Sequence, residues 1–345
     1  FHMSRGARRR QRQQPRTLQV FLIIVLILLT ACVAVKAFFL KAPEQKVDEL
    51  PSQPSSTGDP QLSEEEQAAQ EALRSHLERK GGFYTILVSG SDDGNGNSDT
   101  NILVAVDTVN GYVYGVSIPR DSKAVWDGKS HKINAAFGKG GMTKLAEVVS
   151  DQLGIPVDYT VSVDLTGFEA LVEAIGGVYF DVPYNMDYHD QYQDLVIEQE
   201  KGYRKLNGDD AMQVIRWRKN DKDSPYGYNK GGVGDAGRME LQQNFLKAVI
   251  KEMMQPKNVL NIGKIAKVFE ESVETDLSFQ NILWFGKRAF SGGLSMDDVN
   301  FMTMPYKGAA AYSRVYSKQL GKDFYLDYVV PIAGKLLDIV NNQLS

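Results

Sequence analysis

From Val20 to Val35 the chain reads VFLIIVLILLTACVAV, without a single charge. Leu18 and the Ala37–Leu40 stretch carry this run past about 20 residues, the length that crosses a hydrocarbon core of roughly 30 Å. The pattern predicts a membrane-spanning helix over 18–41, with Lys36 and Lys41 reaching toward the far head groups. Arg5, Arg8, Arg9, Arg10, Arg12 and Arg16 stand ahead of it, and a short arginine-rich flank stays in the cytoplasm. Residues 1–17 are therefore expected as a cytoplasmic basic tail, and everything after Lys41 as an extracellular body. No second apolar stretch of comparable length follows, so the chain is expected in the cell membrane as a single-pass protein. Leu29-Thr30-Ala31-Cys32 also resembles a lipidation box. The chain stays apolar beyond Cys32, which favours an uncleaved anchor.

The remainder differs sharply from that flank. Of 39 Lys and Arg, eight lie in residues 1–41, which hold no Asp or Glu, leaving 31 basic against 43 acidic residues. That balance speaks against a nucleic-acid partner. One Cys excludes a disulfide framework and a cysteine-built zinc site, and four His leave little for imidazole chemistry.

Residues 42–61 carry Pro43, Pro51, Pro54 and Pro60 among Ser, Gln and Thr, the composition of a semi-extended spacer. Ser63-Glu64-Glu65-Glu66 forms a capping box, predicting a polar stalk helix to about Lys80, stopped by Gly81-Gly82. Together 42–82 read as a linker and stalk. Strands are expected at 83–88, 102–106 and 112–118, the last two joined through Asn110-Gly111, then at 159–163 and 178–182. Helices are expected near 143–153 and 167–175, from an Asn207 cap to about Lys219, over 238–254, and near 258–271, 278–290 and 326–342. Hairpins mixed with helical crossovers predict one α/β domain over 83–345, a mixed central sheet flanked by helices.

Polar residues at element ends are the candidate chemistry. Gly90-Ser91-Asp92-Asp93-Gly94 runs on to Ser98-Asp99-Thr100, and residues of these types are also ordinary turn formers. The 112–118 hairpin brings Arg120, in Ser117-Ile118-Pro119-Arg120-Asp121, beside Asp99. If the first two strands pair antiparallel, Asp92 joins the same sheet edge. Arg216 and Arg218 sit at a helix C-terminus, where cations are favoured in any case. Both reach one ligand only if the helix ends there. Arg238 stands at the start of a helix, where a cation is unfavourable. Either Asp235 or a phosphate at that terminus must compensate it. Arginine forks grip phosphate oxygens bidentately, and a neighbouring aspartate suits Mg²⁺, which completes its octahedron with water and substrate phosphate. The residues alone point to an external, metal-assisted site for a di- or polyphosphate. A serine hydrolase has no support, because no nucleophile elbow is present.

These segments resemble the LytR-CpsA-Psr family of bacterial cell-wall assembly proteins: G-S-D, S-D-T-N-I-L-V-A-V-D, V-S-I-P-R-D, H-K-I-N-A-A-F-G-K-G-G, L-N-G-D-D-A-M-Q-V-I-R-W-R-K and G-D-A-G-R. The similarity runs in unbroken order over about residues 83 to 255. It implies Mg²⁺-dependent transfer of an anionic glycopolymer (teichoic acid, capsule or a related polysaccharide) from an undecaprenyl-pyrophosphate carrier to peptidoglycan. By the same resemblance Asp92 and Asp99 act at the metal, and Arg120, Lys132, Arg216, Arg218, Arg238 and Gln242 hold the pyrophosphate. Asp235 completes that set, and an apolar pocket, with candidate lining from 143–175, takes the polyprenyl chain. Asp93-Gly94 departs from the family, which often places an arginine there.

The expected chemistry is displacement at the sugar-proximal phosphorus with polyprenyl phosphate leaving, which needs mainly positioning and charge neutralisation. Asp99, Arg120 and Asp235 are the candidate catalytic residues, and Asp99 and Asp235 both remain open as general base. Two alternatives stand beside it: hydrolysis of the lipid pyrophosphate, and a non-catalytic polyprenyl-phosphate-binding regulator of the wall.

Overall fold

The structure is a computed structural model and describes residues 42–46, 64–75, 79–91, 96–191, 195–228, 232–291, 295–317 and 322–344. The expected tail, anchor and most of the linker lie outside these residues, as do Cys32, Asp92 and Asp93.

A six-stranded mixed sheet organises the body, and its central meander follows from the alternation in the sequence. Strands β1 (Phe83–Ser91), β2 (Ser98–Asp107) and β3 (Tyr112–Ile118) pair antiparallel in turn. The Asp107 carboxylate accepts from the backbone N–H of Val109 at 3.0 Å and of Asn110 at 2.8 Å, closing the loop between β2 and β3. Beyond these come β4 (Lys123–Trp126), β5 (Lys129–Lys132) and helix α2 (Asn134–Leu153), which crosses over to β6 (Tyr159–Val163), parallel to β1. β11 (Val273–Thr275) covers one edge of the sheet, and β12 (Val299–Thr303), parallel to β3, covers the other.

Because the period of a strand is two, neighbouring residues go to opposite faces. Ile86, Val88, Ile102 and Val104 join one core with α3 (Leu165–Ala174), α4 (Gly208–Arg216), α5 (Gly234–Met253), α7 (Ile262–Ser272) and α8 (Phe279–Ser291). Leu87, Leu103, Ala105 and Val116 join the other with α1 (Glu64–Ser75), α2 and α9 (Ala333–Ile339). With both faces covered, β2 is buried along nearly its whole length.

Several expectations are corrected. α1 is no free stalk: it packs on α9 and buries Leu73, and its described part runs to Ser75, with Arg79 and Lys80 outside a helix. Its seat on the end of α2 is so close that a Cβ on Gly154, at φ +68°, meets the Leu73 carbonyl oxygen at 1.5 Å. Residues 43–46 of the expected spacer are docked on the body. α2 begins at Asn134 and bends at Gly140-Gly141, and α4 ends at Arg216, three residues before Lys219. The expected helix over 326–342 is half strand: β14 (Lys322–Pro331) pairs with β13 (Tyr306–Ser317), and α9 follows. Its β-branched and aromatic residues favour a pleated surface over a helix. The expected strand at 178–182 is β7 (Val178–Val182); its partner β10 (Gly202–Leu206) and the pair of β8 (Met186–Asp190) with β9 (Leu195–Gln199) had no place in the sequence reading.

Candidate active site

The site forms at the end of the sheet where β1 finishes, β2 begins and β3 releases the chain. Pairing of Asn101 with Ile118 sets Asp99 beside Arg120, as the hairpin predicts. An Arg120 Nη1 donates to Asp99 Oδ1 at 2.5 Å, and the second fork nitrogen stands 3.7 Å from Asp235 Oδ2. Asp235 lies in the first turn of α5, whose N-terminus favours a carboxylate. Its Oδ1 is 2.7 Å from Arg238 Nη2 and 2.8 Å from Arg218 Nη2, close as ion pairs though not aligned as hydrogen bonds. One carboxylate thus sits among three guanidinium groups.

Local folding explains how distant residues meet. Helix α4 stops at Arg216, Trp217 turns extended, and Arg218 leaves toward α5. The loop behind it is pinned by Asn220, whose Oδ1 accepts from Trp217 Nε1 at 2.9 Å and from the Asp187 N–H at 3.0 Å. It closes where the Val233 N–H meets the Arg218 carbonyl at 3.0 Å. Glycine is required at 232, since a Cβ there would lie 1.7 Å from that carbonyl oxygen, at φ +54°. Gln242 is buried and donates to the Ile215 carbonyl at 3.2 Å, tying α5 to the end of α4.

The electrostatics are unbalanced. Arg120, Arg218 and Arg238 face Asp99 and Asp235, an excess of one positive charge among these described groups. Burial pulls the Arg238 pKa down; Asp235 opposes that shift, and Arg218 and Arg120 add to it. A guanidinium does not deprotonate in a protein, so the strain stays as poorly solvated charge that an anion relieves. Burial also lowers Arg120, but Asp99 and Asp235 outweigh it and its pKa is raised. Arg120 Nε, Arg238 Nε, Thr100 Oγ1 and Asn101 Nδ2 are buried at this end without hydrogen-bond partners among the described residues. Buried polar groups are normally satisfied, so such a cluster marks a place built for a ligand.

A cavity of about 60 Å³ opens here, lined among others by Asp99, Arg120, Asp235, Arg238, Met239 and Tyr306. It has room for a few waters and is far too small for a polyprenyl chain. Residues 143–175, expected as lining for such a chain, are not on its wall. Leu145, Val148, Phe168 and Leu171 are plain core.

The other expected residues divide. Lys132 ends β5 and pairs with Asp121 at 2.8 Å, next to Arg120. Arg216 lies on the wall of a different cleft, of about 580 Å³, with Glu169, Asp209 and Asp210. Glu169 is raised by burial and by Asp209, while Arg216 pulls it back. Sequence reasoning missed Gln243, whose buried amide donates to Ser117 Oγ at 2.8 Å and to Thr303 Oγ1 at 3.1 Å, bracing α5 against the site edge of the sheet. It also missed Tyr306 and Val329, which line the cavity from β13 and β14.

Among the described residues no group of three or more His, Cys, Asp or Glu could hold a metal. Mg²⁺ asks less of the protein than that, one or two carboxylates with water and substrate phosphate doing the rest. Asp99, on the wall of the cavity, supplies one carboxylate of that kind.

Comparison with known proteins identifies relatives of the chain. The model of the LytR_cpsA_psr family matches residues 52–324. The polyisoprenyl-teichoic acid–peptidoglycan teichoic acid transferase TagV of Bacillus subtilis is 36% identical over 204 residues, 56% of this chain and 50% of the relative. The corresponding TagU of Halalkalibacterium halodurans is 32% identical over 206 residues, 58% of this chain and 62% of the relative. The chain thus spans about half to three fifths of the length of these curated relatives. The crystal structure of B. subtilis TagV superposes with a TM-score of 0.58 at 28% identity, covering 77% of this chain and 98% of that one.

Proposed function

The chain belongs to the LytR-CpsA-Psr family, and on that premise we propose that it transfers an anionic glycopolymer from a polyprenyl-pyrophosphate carrier to peptidoglycan, outside a membrane that residues 18–41 cross. The single observation behind this reading is the convergence of Arg120, Arg218 and Arg238 on one carboxylate, with buried donors left over. The names of the two relatives supply the donor and acceptor classes, teichoic acid on a polyisoprenyl carrier and peptidoglycan.

In this mechanism the diphosphate displaces the Asp235 carboxylate from the three guanidinium forks. Bidentate contacts from Arg120 and Arg218 orient the sugar-proximal phosphorus, and buried Arg238 stabilises charge that grows on the leaving polyprenyl phosphate. The acceptor hydroxyl attacks that phosphorus, the bond to the bridging oxygen breaks, and the hydroxyl proton passes to a carboxylate. Asp235 suits this role: its side chain is 39% exposed, against 9% for Asp99, and the diphosphate frees it from its ion pairs. Asp99, with Asp92, would hold Mg²⁺, which when bound neutralises charge on the phosphate oxygens. Lys132 and Gln242 position the strand and helix ends from which the arginines leave. Arg216 has no part in this assignment. The prenyl chain needs more space than the present cavity, so the reading requires the layer between the sheet and α5, near Met239, to open.

The test is turnover of a polyprenyl-pyrophosphate-linked glycan with peptidoglycan as acceptor. The proposal expects glycan joined to the acceptor, Mg²⁺ dependence, and loss of transfer in Arg120→Ala. Free glycan phosphate as the product would make the chain a hydrolase instead.

A further inference from the structure

The two ends of the sheet differ, and the end away from the arginines carries its own pattern. Pro43 to Lys46 dock there through a series of hydrogen bonds. Tyr84 OH donates to the Pro43 carbonyl at 3.2 Å and Tyr159 OH to that of Glu44 at 2.8 Å. The Gln45 amide donates to the Phe83 carbonyl at 2.5 Å, and the Lys46 N–H to Asp158 Oδ1 at 2.7 Å. Arg79 bonds both the Lys46 carbonyl, at 2.7 Å, and Asp158, at 2.5 Å.

This clamp lies immediately after the expected membrane span. From Lys41 to Pro43 the chain covers at most about 7 Å. The clamped end of the body is therefore held close to the bilayer, whatever the body's tilt. That same end exposes apolar side chains. Val109, 72% exposed, and Tyr112, 40% exposed, stand at the β2–β3 loop, and Phe279, 37% exposed, stands where α8 begins. The loop is tied to the clamped end by the Thr108 N–H, which donates to the Gly82 carbonyl at 3.0 Å. The start of α8 is tied there by Asp276, which accepts from the Thr160 N–H at 2.7 Å. Arg288, also on α8, lies 5.6 Å from the ring of Trp284, and Trp284 in turn packs on Tyr84. Amphipathic rings and arginines of this kind are favoured at a membrane–water boundary.

We propose that this end rests on the surface of the bilayer that residues 18–41 cross, with Val109, Tyr112 and Phe279 in the lipid interface and the arginine site held away from it. From Tyr84 to Gly90, which pairs with Thr100 beside Asp99, the sheet runs six residues, roughly 20 Å at 3.3 Å each. The orientation rests on the reading of 18–41 as a membrane span and is independent of the chemistry proposed for the arginines.

The experiment uses the full chain in vesicles of phosphatidylethanolamine and phosphatidylglycerol with a quencher on the lipid head groups. In a Cys32→Ser background, one fluorophore is placed through Asn110→Cys, on the β2–β3 loop, and in a second protein through Lys219→Cys, near the arginines. The expected result is severalfold stronger quenching at 110 than at 219. Equal quenching at the two positions, or stronger quenching at 219, would overturn the proposal. No turnover enters the readout, so an inactive protein with the expected quenching would sink the transferase reading and leave this one standing.

Discussion

Asp158 and Asp235 are both carboxylates paired with arginine, at opposite ends of one sheet, and their surroundings could hardly differ more. Asp158 is fully buried and accepts from Arg79, the Lys46 N–H, and both the N–H and hydroxyl of Thr85. Asp235 is partly exposed and shared by three arginines, two of which, Arg120 and Arg238, keep a buried Nε without a partner among the described residues. A charge whose lone pairs are all taken serves the fold, whereas a charge outnumbered by unsatisfied partners is holding a place. Residue type alone separates neither case.

Removing each partner breaks the comparison in a different observable. Asp158→Ala strands the buried Arg79 guanidinium and loosens residues 43–46, and should cost about 3–5 kcal/mol of unfolding free energy by urea denaturation. A loss below about 1 kcal/mol would show that Asp158 is not structural. Arg120→Ala should leave folding nearly intact and lower transfer about 10²–10³-fold, the usual cost of one preorganised donor at a developing charge. Asp235→Asn sharpens the contrast further. Its pairs with Arg120 and Arg218 are half-exposed and worth little to stability, whereas losing the pair with buried Arg238 should lower stability measurably. Inorganic pyrophosphate should then bind several times more tightly, because it no longer competes with a carboxylate, while transfer falls. Weaker pyrophosphate binding would mean that Asp235 organises the arginines and does not stand in for the ligand.

The smallest effect lies behind the site. His189 on β8 stands 3.2 Å from Asp221, 3.3 Å from Glu198 and 3.5 Å from Asp187, linking the β8–β9 hairpin to the loop that carries Arg218. Burial is the largest single influence and lowers its pKa, but the hydrogen bonds to Asp221 and Glu198 and the charges of Asp187 and Asp221 together outweigh it, and the net shift is upward. A raised folded pKa contributes stability that is fully present below the unfolded value of about 6.5 and is lost as pH rises through the folded value. The expected contribution is under about 1 kcal/mol, since solvent screens the group. In His189→Gln the difference in stability between pH 5.5 and pH 8, about one unit below and more than one above that value, should shrink. An unchanged profile would remove His189 from the account.

Much of the site was legible because local geometry carried it. The β2–β3 hairpin fixes Asp99 beside Arg120 from spacing alone. The expected helix start at Arg238 lies instead at Gly234, so Arg238 stands one turn in and Asp235, in the first turn, supplies the anion. The fate of Arg216 was not legible. It depends on the residue at which α4 ends, and a turn at Trp217 leaves Arg216 on the wall of a separate cleft while Arg218 pairs with Asp235. The C-terminal region was misread because Leu326 to Val330 alternates too weakly to separate a strand from a helix by period. With that strand missed, Tyr306 and Val329 had no visible route to the cavity. The clamp at Pro43–Lys46 was hidden for another reason. Prolines and polar residues read as spacer, and its hydrogen bonds run through main-chain groups that every sequence possesses.

The most direct measurement is a crystal structure of the protein with a short prenyl diphosphate bound. The account places the two phosphates among Arg120, Arg218 and Arg238, with the Asp235 carboxylate displaced from its present contacts. A diphosphate lying instead against Arg216, in the cleft with Glu169 and Asp209, would contradict it.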